Sequence, residues 1–165
     1  AALVLSEFPE ARFVCVGRGR SRGDIEALTR RLGIEKNVIL TGFRTDVPDL
    51  VALFDVFCLT PISGESLGTS ILEGFCMEKP AIATQVGGTG ESVRDGQTGF
   101  LIPPGAEDVQ VERIAAAMLK LLRDPALRRR MGQAGRAMVL AEFSPENLAR
   151  QTETVYRRVL ANRRR

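Results

Sequence analysis

The chain contains no histidine and no tryptophan, and it has one tyrosine, Tyr156, and three cysteines in 165 residues. Without histidine, nothing here can form a Ser-His-Asp or Cys-His pair, act as an imidazole general base or bind a metal through imidazole. So few aromatic platforms argue against stacking on single-stranded nucleic acid. The cysteines Cys15, Cys58 and Cys76 are odd in number and show no CxxC spacing, which argues against a disulfide framework or a zinc site. Two of them lie in apolar runs (FVCVG and VFCLT), so buried free thiols are expected. No signal peptide opens the sequence, and no apolar stretch approaches the ~18 residues of a membrane span, so the chain reads as cytoplasmic. Carboxylates, arginines, hydroxyls and backbone amides remain to carry its chemistry.

What is present describes a globular domain. Hydrophobic residues make up 44% and charged residues 26%, a balance that supports a packed core rather than disorder. The net charge of +3 is uneven: residues 1–121 carry 12 basic and 16 acidic side chains, whereas 122–165 carry 11 basic and 4 acidic. The basic last third, including Arg157, Arg158 and Arg163–Arg165, is read as a solvated helical face, with nucleic acid or an anionic membrane surface as the alternatives.

Short β-rich runs alternate with helical periods. Strands are predicted at Arg12–Gly17, Asn37–Gly42, Asp55–Thr60, Pro80–Gln85 and Gly99–Ile102. All but the last are continuous apolar runs, the pattern of parallel strands covered on both faces. Helices are predicted at Asp24–Leu32, Val47–Phe54 and about Leu67–Met77, then at Val109–Leu122, Pro125–Leu140 and Pro145–Leu160. Asp124 before Pro125 and Ser144 before Pro145 each place an N-cap ahead of a proline at the first helical position. The order predicts an α/β fold with a doubly wound, Rossmann-like parallel sheet. The opening AALVLSEFPEARFV reads as the tail of a helix entering a strand, so a preceding strand is expected and the chain is read as a fragment, one domain over 1–165.

Ligands of open α/β sheets bind beyond the carboxyl ends of the strands. Four loops rich in glycine, hydroxyls and charge fall there: GRGRSRG, GFRTD, PISGESLGTS and VGGTGE. The first could cradle a phosphate or be a solvated turn. It misses the dinucleotide fingerprint, because Arg22 stands where the third glycine belongs. In the third, Glu65 precedes a helix whose first turn is predicted to hold Gly68, Thr69 and Ser70, whose amides and helix dipole suit an anion. Glu73 sits one turn into a helix otherwise made of Ile71, Leu72, Gly74, Phe75, Cys76 and Met77. A carboxylate in such company calls for something to accept its charge.

Glu65 and Glu73 with seven residues between them, MEKP after the helix, VGGTGESVRDGQTGFLIPPG, GFRTDVPDLVALFDVFCLTP and FSPENLARQTETVYRRVL together resemble family 4 of the retaining glycosyltransferases. These enzymes have the two-domain GT-B fold, and the likeness, which covers most of the chain, is to its C-terminal, donor-binding half. The resemblance implies that Glu73 accepts hydrogen bonds from both ribose hydroxyls of a nucleoside diphosphate sugar, a diol matched by two carboxylate oxygens. It implies that Glu65 is the catalytic residue, in contact with hydroxyls of the transferred sugar. Amides of Leu67, Gly68, Thr69 and Ser70 would hold phosphate or sugar oxygens. The backbone about Phe43 and Arg44 would bracket the base, Gly17, Arg18 and Gly19 would lie beside the diphosphate, and Gly87, Gly88 and Glu91 would shape the far wall.

The implied partners are a nucleotide-sugar donor and, through an N-terminal domain, a glycan or lipid-linked acceptor. No cofactor, metal or nucleic acid is implied, and peripheral membrane contact is a further expectation. ESLG stands here where the family has EGFG, with Ser66 and Leu67 in place of glycine and phenylalanine, so the resemblance leaves the identity of the sugar open. The family's diphosphate-gripping arginine and lysine would precede residue 1, as would the N-terminal domain, so the isolated chain is expected not to turn over. The alternative is an NADP-binding oxidoreductase module, with Arg44 as partner of the 2′-phosphate.

Overall fold

The computed structural model describes residues 1–162. Helix α1 (Ala2–Leu5) leads into β1 (Phe13–Val16), α2 (Arg22–Arg31), β2 (Val38–Gly42), α3 (Val47–Ala52) and β3 (Phe57–Leu59). Then follow α4 (Thr69–Cys76), β4 (Ala81–Thr84), α5 (Thr89–Ser92) and β5 (Gly99–Ile102). Three longer helices close the described chain: α6 (Glu107–Arg123), α7 (Pro125–Glu142) and α8 (Pro145–Asn162). The expected α/β class with parallel strands holds, and Gly99–Ile102 is a strand over the predicted residues. Short α5, within VGGTGES, was not expected: four residues lack an apolar period long enough to read.

The strands do not form one sheet among the described residues. β1 pairs only with β2, and β3–β4–β5 make a second, three-stranded sheet. Both are parallel, with Phe13 opposite Val38 in the first and Ala81 between Phe57 and Gly99 in the second. Burial on both faces, expected for four strands, is therefore realised only by β4, where all four residues are buried. β1 and β3 each have one neighbouring strand, and their residues are half-buried or exposed. The expected burial of the thiols is for this reason incomplete. Cys15 and Cys58 lie on these one-sided strands, Cys76 lies on an open face of α4, and all three residues keep exposed surface. The protein around the sulfur still desolvates Cys15 and Cys58, raising both thiols and pushing Cys58 up to about 12.

β4 organises the core. Its side chains alternate between faces, so Ala81 and Ala83 join Ile71 and Phe75 of α4 and Met138 and Val139 of α7. Ile82 points the other way, to Ala117 and Leu121 of α6 and Leu127 and Met131 of α7. Glycines set how closely α4 and α7 approach: a Cβ on Gly135 would fall 2.3 Å from Cδ1 of Phe75, and one on Gly132 would fall 1.9 Å from the Glu78 carbonyl oxygen. Both predicted caps form, with Asp124 Oδ1 accepting from the Leu127 amide at 2.8 Å and Ser144 Oγ from the Asn147 amide at 3.2 Å. No residue of α8 is buried, and no helix among the described residues is long and apolar enough to cross a membrane. Arg163–Arg165 of the basic tail lie outside the described residues.

Candidate functional site

The carboxyl ends of the strands carry two groups of predicted site residues, one on each sheet. On the larger sheet the segment from Glu65 to Gly68 is held from behind by the loop between β4 and α5. The Gly88 amide donates to the Ser66 carbonyl at 2.6 Å, and the Ser92 hydroxyl donates to the Leu67 carbonyl. A Cβ on Gly87 would lie 1.7 Å from the Glu65 carbonyl oxygen and one on Gly88 would lie 2.1 Å from that of Ser66. No side chain fits between the two loops, which is the physical content of the paired glycines. The carbonyls of this segment thus face α5.

Two of its amides are used otherwise. Glu65 Oε1 accepts from Ser66 N at 3.1 Å and from Gly68 N at 3.0 Å, so the carboxylate folds back on its own loop. Gly68 is in the left-handed region at φ 73° and serves as the N-cap, so α4 begins at Thr69 rather than at Leu67. The predicted first turn accordingly loses Gly68.

Glu73 stands on the face of α4 opposite the core. Ile71, Gly74 and Phe75 are buried while Glu73 is exposed, and it has no hydrogen bond or ion pair to a side chain among the described residues. Its charge is accepted by solvent. No group of three or more Cys, Asp and Glu residues that could hold a metal ion occurs among the described residues.

The supports behind these loops went unread in the sequence. Buried Thr89 donates to the Thr84 carbonyl at 2.7 Å and accepts from the Val86 amide at 3.0 Å. Thr84 in turn donates to the Pro61 carbonyl at 2.6 Å, tying the β3–α4 loop to the end of β4. The one available signal was the density of hydroxyls in IATQVGGTGES, since a buried hydroxyl must find a partner.

On the smaller sheet, the Gly17 amide donates to the Gly42 carbonyl at 2.9 Å, which joins the GRG and GFR loops. Arg18 lies over the ring of Phe43, 5.1 Å from its centroid. Arg44 points elsewhere: its Nε donates to Asp46 Oδ1 at 2.7 Å and its Nη2 to Asp46 Oδ2. The hydrogen bond from Arg44, the largest effect, holds the Asp46 carboxyl below its ordinary value, and the same bond raises Arg44 above its own. A cavity of about 400 Å3 opens at the carboxyl end of β1, bordered by Gly17, Arg18, Gly19 and Gly42 and floored by Val16 and Ile25. Glu65, Glu73 and Glu91 do not border it. Glu91 is exposed on α5.

Residues 1–138 match the family model described as "Glycosyl transferases group 1". Among curated proteins, the chain is 34% identical over 151 residues to N-acetyl-alpha-D-glucosaminyl L-malate synthase of Bacillus anthracis, covering 92% of this chain and 38% of that protein. It is 32% identical over 152 residues to alpha-D-kanosaminyltransferase of Streptomyces kanamyceticus, covering 91% and 38%. The chain thus spans under two-fifths of the length of these relatives. Among solved structures, Anabaena HepE in complex with UDP superposes with a TM-score of 0.78 at 25% identity, over 93% of this chain and 44% of that one. The oxidoreductase alternative finds no support in these matches, and Arg44, its proposed 2′-phosphate partner, is already engaged on both sides by Asp46.

Proposed function

The chain belongs to the group 1 glycosyl transferases, and from that premise we propose that it is the C-terminal, nucleotide-sugar-binding domain of a two-domain retaining enzyme of family 4. The observation that carries this reading is Glu73, a carboxylate displayed without a side-chain partner on a helix whose other face is buried, at the strand ends where open α/β sheets bind ligands. Its two oxygens suit the ribose diol of a nucleoside diphosphate. The neighbouring Anabaena structure, which holds UDP, supports a donor of this class.

In the proposed reaction a hexosyl unit passes to a glycan or lipid-linked acceptor bound largely by a second domain. The bond from the anomeric carbon to the diphosphate oxygen breaks, and the acceptor oxygen bonds to that carbon on the same face. The acceptor proton leaves with the departing phosphate oxygen. Glu65 is the catalytic residue, contacting sugar hydroxyls, and stabilisation of the leaving diphosphate by amides and guanidinium groups replaces both a metal and an enzymic base. The same proposal covers a cytoplasmic setting and contact of the unburied α8 with the second domain or with anionic headgroups.

The test is ligand-observed NMR with UDP, GDP, ADP and NADP in the absence of metal, on the wild type and on Glu73→Ala. Binding of one nucleoside diphosphate, lost in the variant, supports the reading. NADP binding that survives Glu73→Ala sinks it.

A further inference from the structure

The loop that carries Glu65 has little of its own to hold it. Ile62 is 96% exposed, Ser63 and Gly64 are exposed, and none of the three takes part in a backbone–backbone hydrogen bond among the described residues. The anchors come instead from the segment that ends β4 and forms α5. At the loop's start the Thr84 hydroxyl donates to the Pro61 carbonyl at 2.6 Å. Near its end the Ser92 hydroxyl donates to the Leu67 carbonyl, beside the backbone bond from Gly88 to Ser66. Thr89 braces the anchoring side, its hydroxyl donating to the Thr84 carbonyl and accepting from the Val86 amide. Thr84, Thr89 and Ser92 are all buried.

Packing alone does not call for hydroxyls at these places. Valine has the shape of threonine, alanine fills nearly the space of serine, and neither takes a polar atom out of water. A buried hydrogen bond yields only a modest net gain in stability, since both partners give up water to make it. What the hydroxyls supply is position, for each ties a loop carbonyl to β4 or α5. β4 is itself fixed by the core through Ala81, Ile82 and Ala83. A ligand-binding group must be held within about 0.5 Å of its productive place by neighbours that are themselves locked.

Resting on the donor-binding reading above, we propose that Thr84 and Ser92, with Thr89 behind them, are positioning residues for donor binding. They touch no part of the donor; they keep the segment from Glu65 to Gly68 in register with its diphosphate and transferred sugar. The clamp governs one half of the donor. Glu73, which the donor reading sets against the ribose, stands on α4, and Ile71 and Phe75 anchor that helix in the core. Loosening the clamp therefore costs affinity for the diphosphate and leaves the nucleoside alone.

The experiment uses the full-length protein and whichever of UDP, GDP and ADP binds best, with its nucleoside measured separately. The variants are Thr84→Val, Thr84→Ser and Ser92→Ala, each also followed by its thermal midpoint. Thr84→Val and Ser92→Ala should each weaken the diphosphate about three- to tenfold, as the loss of one hydrogen bond would, and shift the nucleoside by less than about twofold. Thr84→Ser keeps the hydroxyl and should bind both ligands within about twofold of wild type. Without ligand, amide exchange at Ser66, Leu67 and Gly68 should quicken in Thr84→Val and Ser92→Ala relative to that of β4.

The clamp is overturned if Thr84→Val and Ser92→Ala lose stability while both ligands bind as before or weaken in equal measure, since the hydroxyls then serve the fold alone. It is equally overturned if Thr84→Ser binds the diphosphate as weakly as Thr84→Val. In those cases the wild type still binds the diphosphate in a way that depends on Glu73, and the donor reading survives. If the wild type binds no nucleoside diphosphate, both readings fall together.

Discussion

The Gly88 amide donates to the Ser66 carbonyl at 2.6 Å, and a Cβ on Gly88 would lie 2.1 Å from that same oxygen. One backbone contact thus fixes where the loop carrying Glu65 can stand. Gly88→Ala must push the loop away or break the hydrogen bond. Overpacking of this kind costs about 1–3 kcal/mol. The expected result is a lower thermal midpoint together with weakened nucleoside diphosphate binding. A variant with wild-type stability and binding would show that the loop tolerates the shift.

Glu73 makes the opposite case. Its side chain is exposed and takes no part in a side-chain hydrogen bond or ion pair among the described residues. Glu73→Gln should therefore change unfolding free energy by no more than about 0.5 kcal/mol, while nucleoside diphosphate affinity falls at least about tenfold through loss of a charged acceptor. Urea unfolding and a binding titration on the same preparation separate the two effects. Equal losses in both would place Glu73 in the fold rather than the site.

On α7, glycine is dictated by the neighbouring helix. Alanine is the better helix former by about 1 kcal/mol, yet a Cβ at Gly135 would meet the Phe75 ring at 2.3 Å, and that ring is fully buried. Sterics should win, and Gly135→Ala should be destabilising by about 1–2 kcal/mol net. Gly23→Ala on α2 is the control, since nothing lies within 4 Å of its Cβ and its φ is not in the left-handed region. It should be neutral or stabilising by about 0.5 kcal/mol. Chemical denaturation midpoints of the two variants should move in opposite directions or differ clearly in size.

The Arg44–Asp46 pair gives a pH signature. The Asp46 carboxyl is lowered from 3.8, chiefly by the hydrogen bond from Arg44. A folded value below the unfolded one, about 3.9, means that the pair's contribution is complete above the unfolded value. It is lost as pH falls through the lowered folded value. A carbon-13 titration of the Asp46 carboxyl should show a midpoint below 3.8 in the wild type, moving upward in Arg44→Gln. A wild-type midpoint at or above the ordinary carboxylate value would contradict the pairing.

How much of this could be read beforehand depended on the range of the interaction involved. The caps at Asp124 and Ser144 formed as expected because a cap needs only residues within one turn. The strand at Gly99–Ile102 and the three long helices were likewise legible from local period and flanking prolines and glycines. Glu73 stood out as a charge in an apolar helix, and Glu65 as a carboxylate in the loop just ahead of it. Their different states did not: Glu65 turned onto the amides of Ser66 and Gly68, Glu73 facing solvent.

The sequence by itself determined the α/β class, the parallel strands, the capped starts of α7 and α8 and the loops at which a ligand would be met, because these follow from periodicity, capping chemistry and the reach of a few residues. Tertiary structure alone decided that the described strands divide into two sheets, leaving Cys15 and Cys58 exposed. It also decided that Gly87 and Gly88 serve as the back of another loop, and that Arg18, not Arg44, is the arginine that meets Phe43. Those outcomes turn on which backbone oxygen, carboxylate or ring arrives from a distant part of the chain, and close packing admits one arrangement among many that the same local pattern allows.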